Sequence, residues 1–247
     1  MNKYFYDLHI HSCLSPCADD DMTPNDIAGM GNLLGLNIMA LTDHNSCKNL
    51  PPFFKACERN GIIPIGGMEL TTAEDIHLIC LFPSLETALS FGRKVETLLL
   101  PIKNKPHIFG NQLITNDNDD IIGTEENLLI SSTALSVTEA SAMALEFGGI
   151  SYPAHIDREA NGIISILGDI PPEPGFTCCE FNDTDNIERY RQKYSSLSGL
   201  SVLSCSDAHR LGDINEAENF VIIDDEPYSA SLVRKKFLEK IGKEVEK

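Results

Sequence analysis

The chain contains no run of about 18 apolar residues, the length a membrane-spanning helix needs, so no membrane span is expected. A secretory signal is missing as well. Met1-Asn2-Lys3-Tyr4-Phe5-Tyr6-Asp7 has neither a long apolar core nor a small-residue cleavage site, and a cytoplasmic location is expected. Positive charge is scarce: 19 Lys and Arg stand against 37 Asp and Glu, a formal net charge of −18. At long range such a surface repels nucleic-acid phosphates and anionic lipids, so neither duplex nucleic acid nor a membrane is expected as partner. A small phosphorylated substrate or a short nucleotide stays compatible, because bound cations can invert the field locally. No C-x-x-C pair occurs among the eight cysteines at 13, 17, 47, 57, 80, 178, 179 and 205. Several lie in apolar runs, as Cys80 does in Leu78-Ile79-Cys80-Leu81. Without an export signal they read as reduced, small hydrophobes, with Cys17 held apart from that reading.

What is present is an ordinary globular composition, 42% hydrophobic over 247 residues, enough for one large α/β domain or two small ones. Short apolar runs alternate with helical stretches. Strands are expected over 4–9, 37–42, 62–70, 76–82, 150–153, 177–181 and 201–205. Helices are expected over 24–34, 50–60, 85–99 and 137–147, after Asn186, and from about 228 to 246. Thr23 stands as the first N-cap, with Pro24 at the first helical position. The alternation predicts a parallel sheet with helices outside it, closed into a barrel. One stretch breaks the rhythm. Over about 102–132, Asn116-Asp117-Asn118-Asp119-Asp120 separates two apolar runs, which reads as a hairpin excursion, either a local lid or a plain exposed hairpin.

Six of the seven histidines lie on or beside expected strands. His9 and His11 end the first strand, His44 ends the second, His77 lies on the fourth, His155 follows the 150–153 strand, and His209 follows the 201–205 strand. His107 falls in the excursion and is left out. Carboxylates join them: Glu69 at the end of Ile65-Gly66-Gly67-Met68-Glu69, Asp43 before His44, and Asp207 before His209. In a parallel barrel the C-terminal strand ends form one rim, where active sites are built. Alternation along a strand points His9 and His11 the same way, and Asp207 and His209 likewise. Neutral imidazole with carboxylate is a ligand set for Zn, Mn or Fe. Any one of these histidines alone reads as a core or surface residue; the joint pattern reads as a metal cluster.

In this order, Asp7-Leu8-His9-Ile10-His11-Ser12, Leu41-Thr42-Asp43-His44-Asn45, Gly67-Met68-Glu69, His77, Pro153-Ala154-His155 and Ser204-Cys205-Ser206-Asp207-Ala208-His209 resemble the polymerase and histidinol phosphatase (PHP) superfamily of metal-dependent phosphoesterases. The resemblance spans residues 7 to 209 and implies a single PHP domain over 1–247. It implies a distorted (β/α)7 barrel with two or three divalent metal ions (Zn, Mn or Fe) at the C-terminal ends of the strands. By the same resemblance, His9, His11, Glu69 and Asp207 would hold one ion. Glu69, His77 and His155 would hold a second. His44 and His209 would hold a third with one further ligand from the loop after His11. There the sequence departs from the family pattern, with the insertion Pro16-Cys17-Ala18 before Asp19. Aligning back from Thr23-Pro24 puts Asp19 on that ligand, with Cys17 and Asp20 as the alternatives.

The activity implied is hydrolysis of a phosphomonoester, nucleotide or oligonucleotide by a metal-activated water, with Glu69 as the bridging carboxylate. Arg158 and Arg210 are the cations nearest the expected rim and are candidates for binding substrate phosphate; each also reads as an ordinary surface ion pair. Asp43 is a candidate for orienting a ligating imidazole. Two other readings stand beside this one: an amidohydrolase-type metal hydrolase, and a non-catalytic metal-binding regulatory module on the same fold.

Overall fold

Six short apolar runs pair into one curled sheet in the computed structural model, which describes residues 1–242. The first half of the chain runs β1 (Asn2–Asp7), α1 (Pro24–Leu33), β2 (Ile38–Leu41), α2 (Leu50–Arg59), β3 (Ile63–Thr71), β4 (His77–Phe82) and α3 (Leu85–Glu96). The excursion follows, with α4 (Pro106–Phe109), β5 (Leu113–Thr115) and β6 (Ile121–Thr124). The second half runs α5 (Val137–Glu146), β7 (Ile150–Pro153), α6 (Ile163–Leu167), β8 (Cys178–Phe181), α7 (Ile187–Lys193), β9 (Ser201–Ser204), β10 (Phe220–Ile223) and α8 (Ala230–Ile241). The end of the last expected helix, 243–246, lies outside the described residues. No helix of the described residues is long and apolar enough to cross a membrane.

The large sheet has the order β10-β1-β2-β3-β4-β7, and β8 pairs with β9 in a second sheet. β1, β2 and β3 are parallel, as expected, but β4 runs antiparallel to both β3 and β7. The reason is the connection. A tight turn joins β3 to β4, with Thr72 N–H donating to the Ile76 carbonyl at 2.9 Å. So short a link reverses direction, since a parallel crossover needs about a dozen residues. β10 is a further antiparallel strand on the edge of β1, in a run absent from the expected strands.

The β8–β9 pair closes the barrel through a few hydrogen bonds rather than full ladders. Ile156 N–H donates to the Glu180 carbonyl at 2.9 Å, and His11 N–H donates to the Ala208 carbonyl at 3.0 Å. The architecture is a distorted α/β barrel whose ladders do not form one continuous seven-stranded ring.

Alternation sorts the side chains. Tyr4, Tyr6, Ile38, Ala40, Ile63, Ile65, Ile79, Leu81, Tyr152, Cys178 and Leu203 form one buried cluster, and Val233, Phe237, Leu238 and Ile241 of α8 pack into it. Met39, Leu41, Met68, Leu78 and Cys80 face the opposite way, against a cluster that includes Ile27, Phe53, Phe91 and Ala140 of the outer helices. α8 plugs one end: Arg234 donates to the Pro64 and Pro83 carbonyls, at the start of β3 and just past the end of β4. Gly67 lets β2 and β3 meet closely, for a Cβ there would sit 2.7 Å from Thr42 Cγ2.

The excursion forms the expected hairpin, β5 with β6. It is fastened rather than free. Asp119 accepts from Thr23 Oγ1 at 2.7 Å, and Asn49 bonds to both Leu113 O and Thr115 N. Gly110, at φ +102°, lies against the loop after His11; a Cβ there would come 2.0 Å from the Pro16 carbonyl oxygen.

Candidate metal centre

The period-two pattern that fills the barrel interior also charges one end of it. Glu69 has the parity of Ile63 and Ile65, His77 that of Ile79 and Leu81, Glu180 that of Cys178, and Asp207 that of Leu203 and Cys205. Each is the inward residue at the rim away from α8. Because β4 is reversed, His77 reaches this rim from the start of its strand. His155 and Asp207 sit just past β7 and β9 with φ of 28° and 51°. That left-handed backbone is uncommon for residues bearing a Cβ and clusters at functional sites.

The donors converge around Glu69. His77 Nδ1 is 2.8 Å and His155 Nε2 3.1 Å from its Oε1. His11 Nε2 is 3.2 Å and His44 Nδ1 3.1 Å from its Oε2. Asp207 Oδ1 lies 3.1 Å from His9 Nε2 and 3.2 Å from His11 Nε2. The two Nε2 atoms are themselves 3.2 Å apart.

Hydrogen-bond bookkeeping fixes three imidazoles. His9 Nδ1 lies 2.9 Å from Glu180 Oε1, and an ionised carboxylate only accepts, so Nδ1 carries the proton. Ser15 Oγ spends its one proton on Asp43 Oδ1 at 2.7 Å and accepts the His44 N–H; it must also accept from His11 Nδ1 at 3.0 Å. His209 Nδ1 donates to the Asp207 carbonyl at 2.7 Å. In the neutral form all three Nε2 atoms are therefore bare lone pairs. His9 Nε2, His11 Nε2, Glu69 and Asp207 then form a nest of acceptors with no donor.

His44 Nδ1 and His77 Nδ1 are buried and make no hydrogen bond despite the nearby carboxylate, so they are not aimed along a hydrogen-bond direction. Spacings of 3.1–3.4 Å match the roughly 3.3–3.4 Å edge of a tetrahedron with arms of about 2.0–2.1 Å. The donor set fits divalent cations. Among the described residues, three groups are close enough to hold an ion: His9, His11, Glu69 and Asp207; His44, Glu69 and His77; and His11, His44 and His209.

Electrostatics separates these groups. Burial opposes charge on His9 and His11, but Glu180, Asp207 and Glu69 outweigh it; His9 is held well above its ordinary value and His11 is pushed up to about 9. Burial pushes His44 well below its ordinary value and His209 down to about 4. Burial also opposes ionisation of Glu69 and Asp207, yet the imidazoles hold both below the usual carboxylate range.

The first group is the ligand set the resemblance implied. The second contains His44 where His155 was expected, although His155 Nε2 also touches Glu69. The third contains His11 and no residue of the inserted loop. Asp19 lies outside the cluster, half exposed, 3.4 Å from Arg210 Nε. Asp20 accepts from Asn111 at 2.8 Å, also outside. Cys17 is an exposed residue, but its thiol is crowded; burial and the charge of Glu69 push it up to about 12, which favours the thiol over a ligating thiolate. Arg158 reaches the cluster and pairs with Asp207 Oδ2. Arg210 is exposed and does not reach it. Asp43 acts on His11 through Ser15.

Sequence reasoning missed Glu180. The available signal was a carboxylate inside the otherwise apolar strand Cys178–Phe181, where a buried charge needs a partner.

The fold has relatives. Residues 7–125 match the profile of the PHP domain family. That match covers just under half of the chain. The fold aligns with a candidate metal-dependent phosphoesterase from Bifidobacterium adolescentis over 98% of each chain, with TM-score 0.60 and 19% identity. It aligns with the lesion-specific endonuclease Q of Pyrococcus furiosus at TM-score 0.59 and 22% identity, over 85% of this chain and 49% of the endonuclease. This chain thus spans about half the length of that relative. An amidohydrolase from Chromobacterium violaceum aligns at TM-score 0.53 and 18% identity, over 88% of this chain and 91% of its own. No curated protein matches the sequence.

One expectation is corrected here. Endonuclease Q in complex with a 27-mer duplex, an abasic lesion at its active site, aligns with this chain at TM-score 0.55 and 21% identity, over 85% of this chain and 50% of the endonuclease. The exclusion of duplex nucleic acid from net charge does not hold. Net charge describes the far field, whereas contact at a metal-lined rim is set by local charge.

Proposed function

We propose that the protein hydrolyses phosphate esters with the help of divalent metal ions held by His9, His11, Glu69 and Asp207, by His44, Glu69, His77 and His155, and by His11, His44 and His209. The observation that carries this reading is the nest of lone pairs and carboxylate oxygens, closed by hydrogen bonds on its far side and sharing Glu69 between groups. Cations bound there supply an acidified water and neutralise phosphoryl oxygens.

The chain's own residues do the rest. Glu69 offers one oxygen to the His9, His77 and His155 side and the other to His11 and His44. Asp207 turns Oδ1 inward and gives Oδ2 to Arg158. Arg158 is 40% exposed, so its guanidinium borders both the cluster and solvent, where an incoming phosphate would meet it. His209, at 28%, is the most exposed imidazole of the cluster and marks the open side.

The test is turnover by the protein loaded in turn with zinc, manganese and iron. Substrates are an aryl phosphate, a bis-aryl phosphate, nucleotides, a single-stranded oligonucleotide and a duplex with an abasic site, the last prompted by the likeness to endonuclease Q. A lactone and a cyclic amide serve as carbonyl controls, prompted by the amidohydrolase likeness. Turnover of a phosphate ester that vanishes on chelation is expected. No ester turnover with any of the three metals sinks the reading, and turnover of the carbonyl substrates alone replaces it.

A further inference from the structure

We infer that Glu180 is a positioning residue that sets two metal-binding positions at once, through the tautomer of His9 and the backbone of His155. The inference rests on the metal-centre reading above. Glu180 is 1% exposed and its Oε2 has no hydrogen-bond partner. Its side chain meets the metal-site segments through Oε1, which accepts from His9 Nδ1 at 2.9 Å and from the His155 main-chain N–H at 3.2 Å. Among the described residues its one ion-pair partner is His9.

The first bond decides which His9 nitrogen is bare. With Nδ1–H given to Glu180, Nε2 faces Asp207, Glu69 and His11 as a lone pair. The alternative tautomer would put a proton among those acceptors. A carboxylate behind an imidazole also makes it a more basic ligand. The second bond holds residue 155 where φ is 28°, a backbone conformation that persists only when its surroundings hold it. The adjacent Ile156 N–H donates to the Glu180 carbonyl at 2.9 Å, so side chain and main chain of one residue clamp the segment that delivers His155 to Glu69. His9 and His155 lie on the same Glu69 oxygen but serve different metal-binding positions. One buried oxygen therefore couples them, and its loss weakens both positions together.

Zinc titration of the metal-free full chain, with nitrogen-resolved NMR of the imidazoles in the zinc-loaded protein, tests this. The wild type is expected to carry the His9 proton on Nδ1. Glu180→Ala is expected to lower zinc affinity about 10- to 100-fold, the usual effect of removing a partner behind a ligand, in two binding steps rather than one. Glu180→Gln keeps an oxygen able to accept both bonds and should show a smaller loss. It also carries the test if the alanine variant does not fold. A His9 proton on Nε2 in the wild type overturns the inference, as does wild-type zinc affinity in the folded variants. Tight zinc binding with the expected tautomer but no ester turnover overturns the hydrolase reading and leaves Glu180 its role. Turnover that depends on zinc, with affinity indifferent to Glu180, does the reverse.

Discussion

The centre has two unlike ends. At one, His9 and His11 face Glu69 and Asp207, each imidazole backed by an acceptor, all four buried. At the other, His11, His44 and His209 meet with no carboxylate of their own, and His209 is partly open to solvent. Two negative charges at the first end offset the charge of a dication; the second has imidazoles alone, with His11 shared between the two ends. On the proposed reading, the first end would keep its ion, and the second would hold one loosely or share it with substrate. The pKa directions agree: carboxylates lift His9 and His11, while burial depresses His44 and His209.

The most severe way to break this contrast is Glu69→Gln, since Glu69 contacts both ends. Hydrolysis should fall by roughly 10³-fold or more, the scale for losing a preorganised electrostatic group, with metal content by elemental analysis falling too. Chelation comes next. An ion present at about 1,000 times its dissociation constant contributes about 4 kcal/mol, which for a chain this size is roughly 8–16 °C in Tm by calorimetry. A Tm unmoved by chelator would mean that neither end binds tightly. Third, the ends should differ in proton release. His11, at about 9 without metal, is protonated at neutral pH, so an ion entering the first end displaces protons, and affinity there weakens as pH falls. His209, at about 4, and His44, held well below its ordinary value, are already neutral, so once the first ion has displaced the proton of the shared His11 the second end should release none. Calorimetry of zinc binding in buffers of different ionisation enthalpy reads this directly. Fourth, His209→Ala should remove one ion with about a 10-fold fall in turnover, leaving the first end loaded. The smallest effect belongs to Asp19→Ala. An exposed carboxylate paired with Arg210 should change neither metal content nor turnover by more than about 2-fold. A lost ion in that variant would restore the inserted loop to the centre.

The candidate ligands were legible because their chemistry resides in residue type. Imidazoles and acids at strand ends have few other joint readings, and His9, His11, Glu69, Asp207, His44, His77 and His209 all fall within the three groups. Strand direction was less legible, because period-two alternation is the same whichever way a strand runs. The length of the 72–76 link held that information and outweighs the pattern. Asp19 could not be settled by aligning a loop with three inserted residues, since its conformation depends on Gly110 packing across Pro16, a contact from the distant excursion. Glu180 escaped notice because a lone carboxylate has no spacing partner. Its counterpart, His9, is 171 positions away.

That separation bears on how the protein is made. The barrel closes where His11 N–H meets the Ala208 carbonyl, and the first metal set needs Asp207 beside His9. A growing chain that has not yet reached residue 207 can fold β1, β2 and β3 against their helices, but its HxH pair lacks an anionic neighbour and its seam stays open. Closing so long a loop is entropically costly and slow. On the proposed reading, capture of an ion by the first set and closure of the seam are coupled, because both need residues 207 and 208 beside residues 9 to 11.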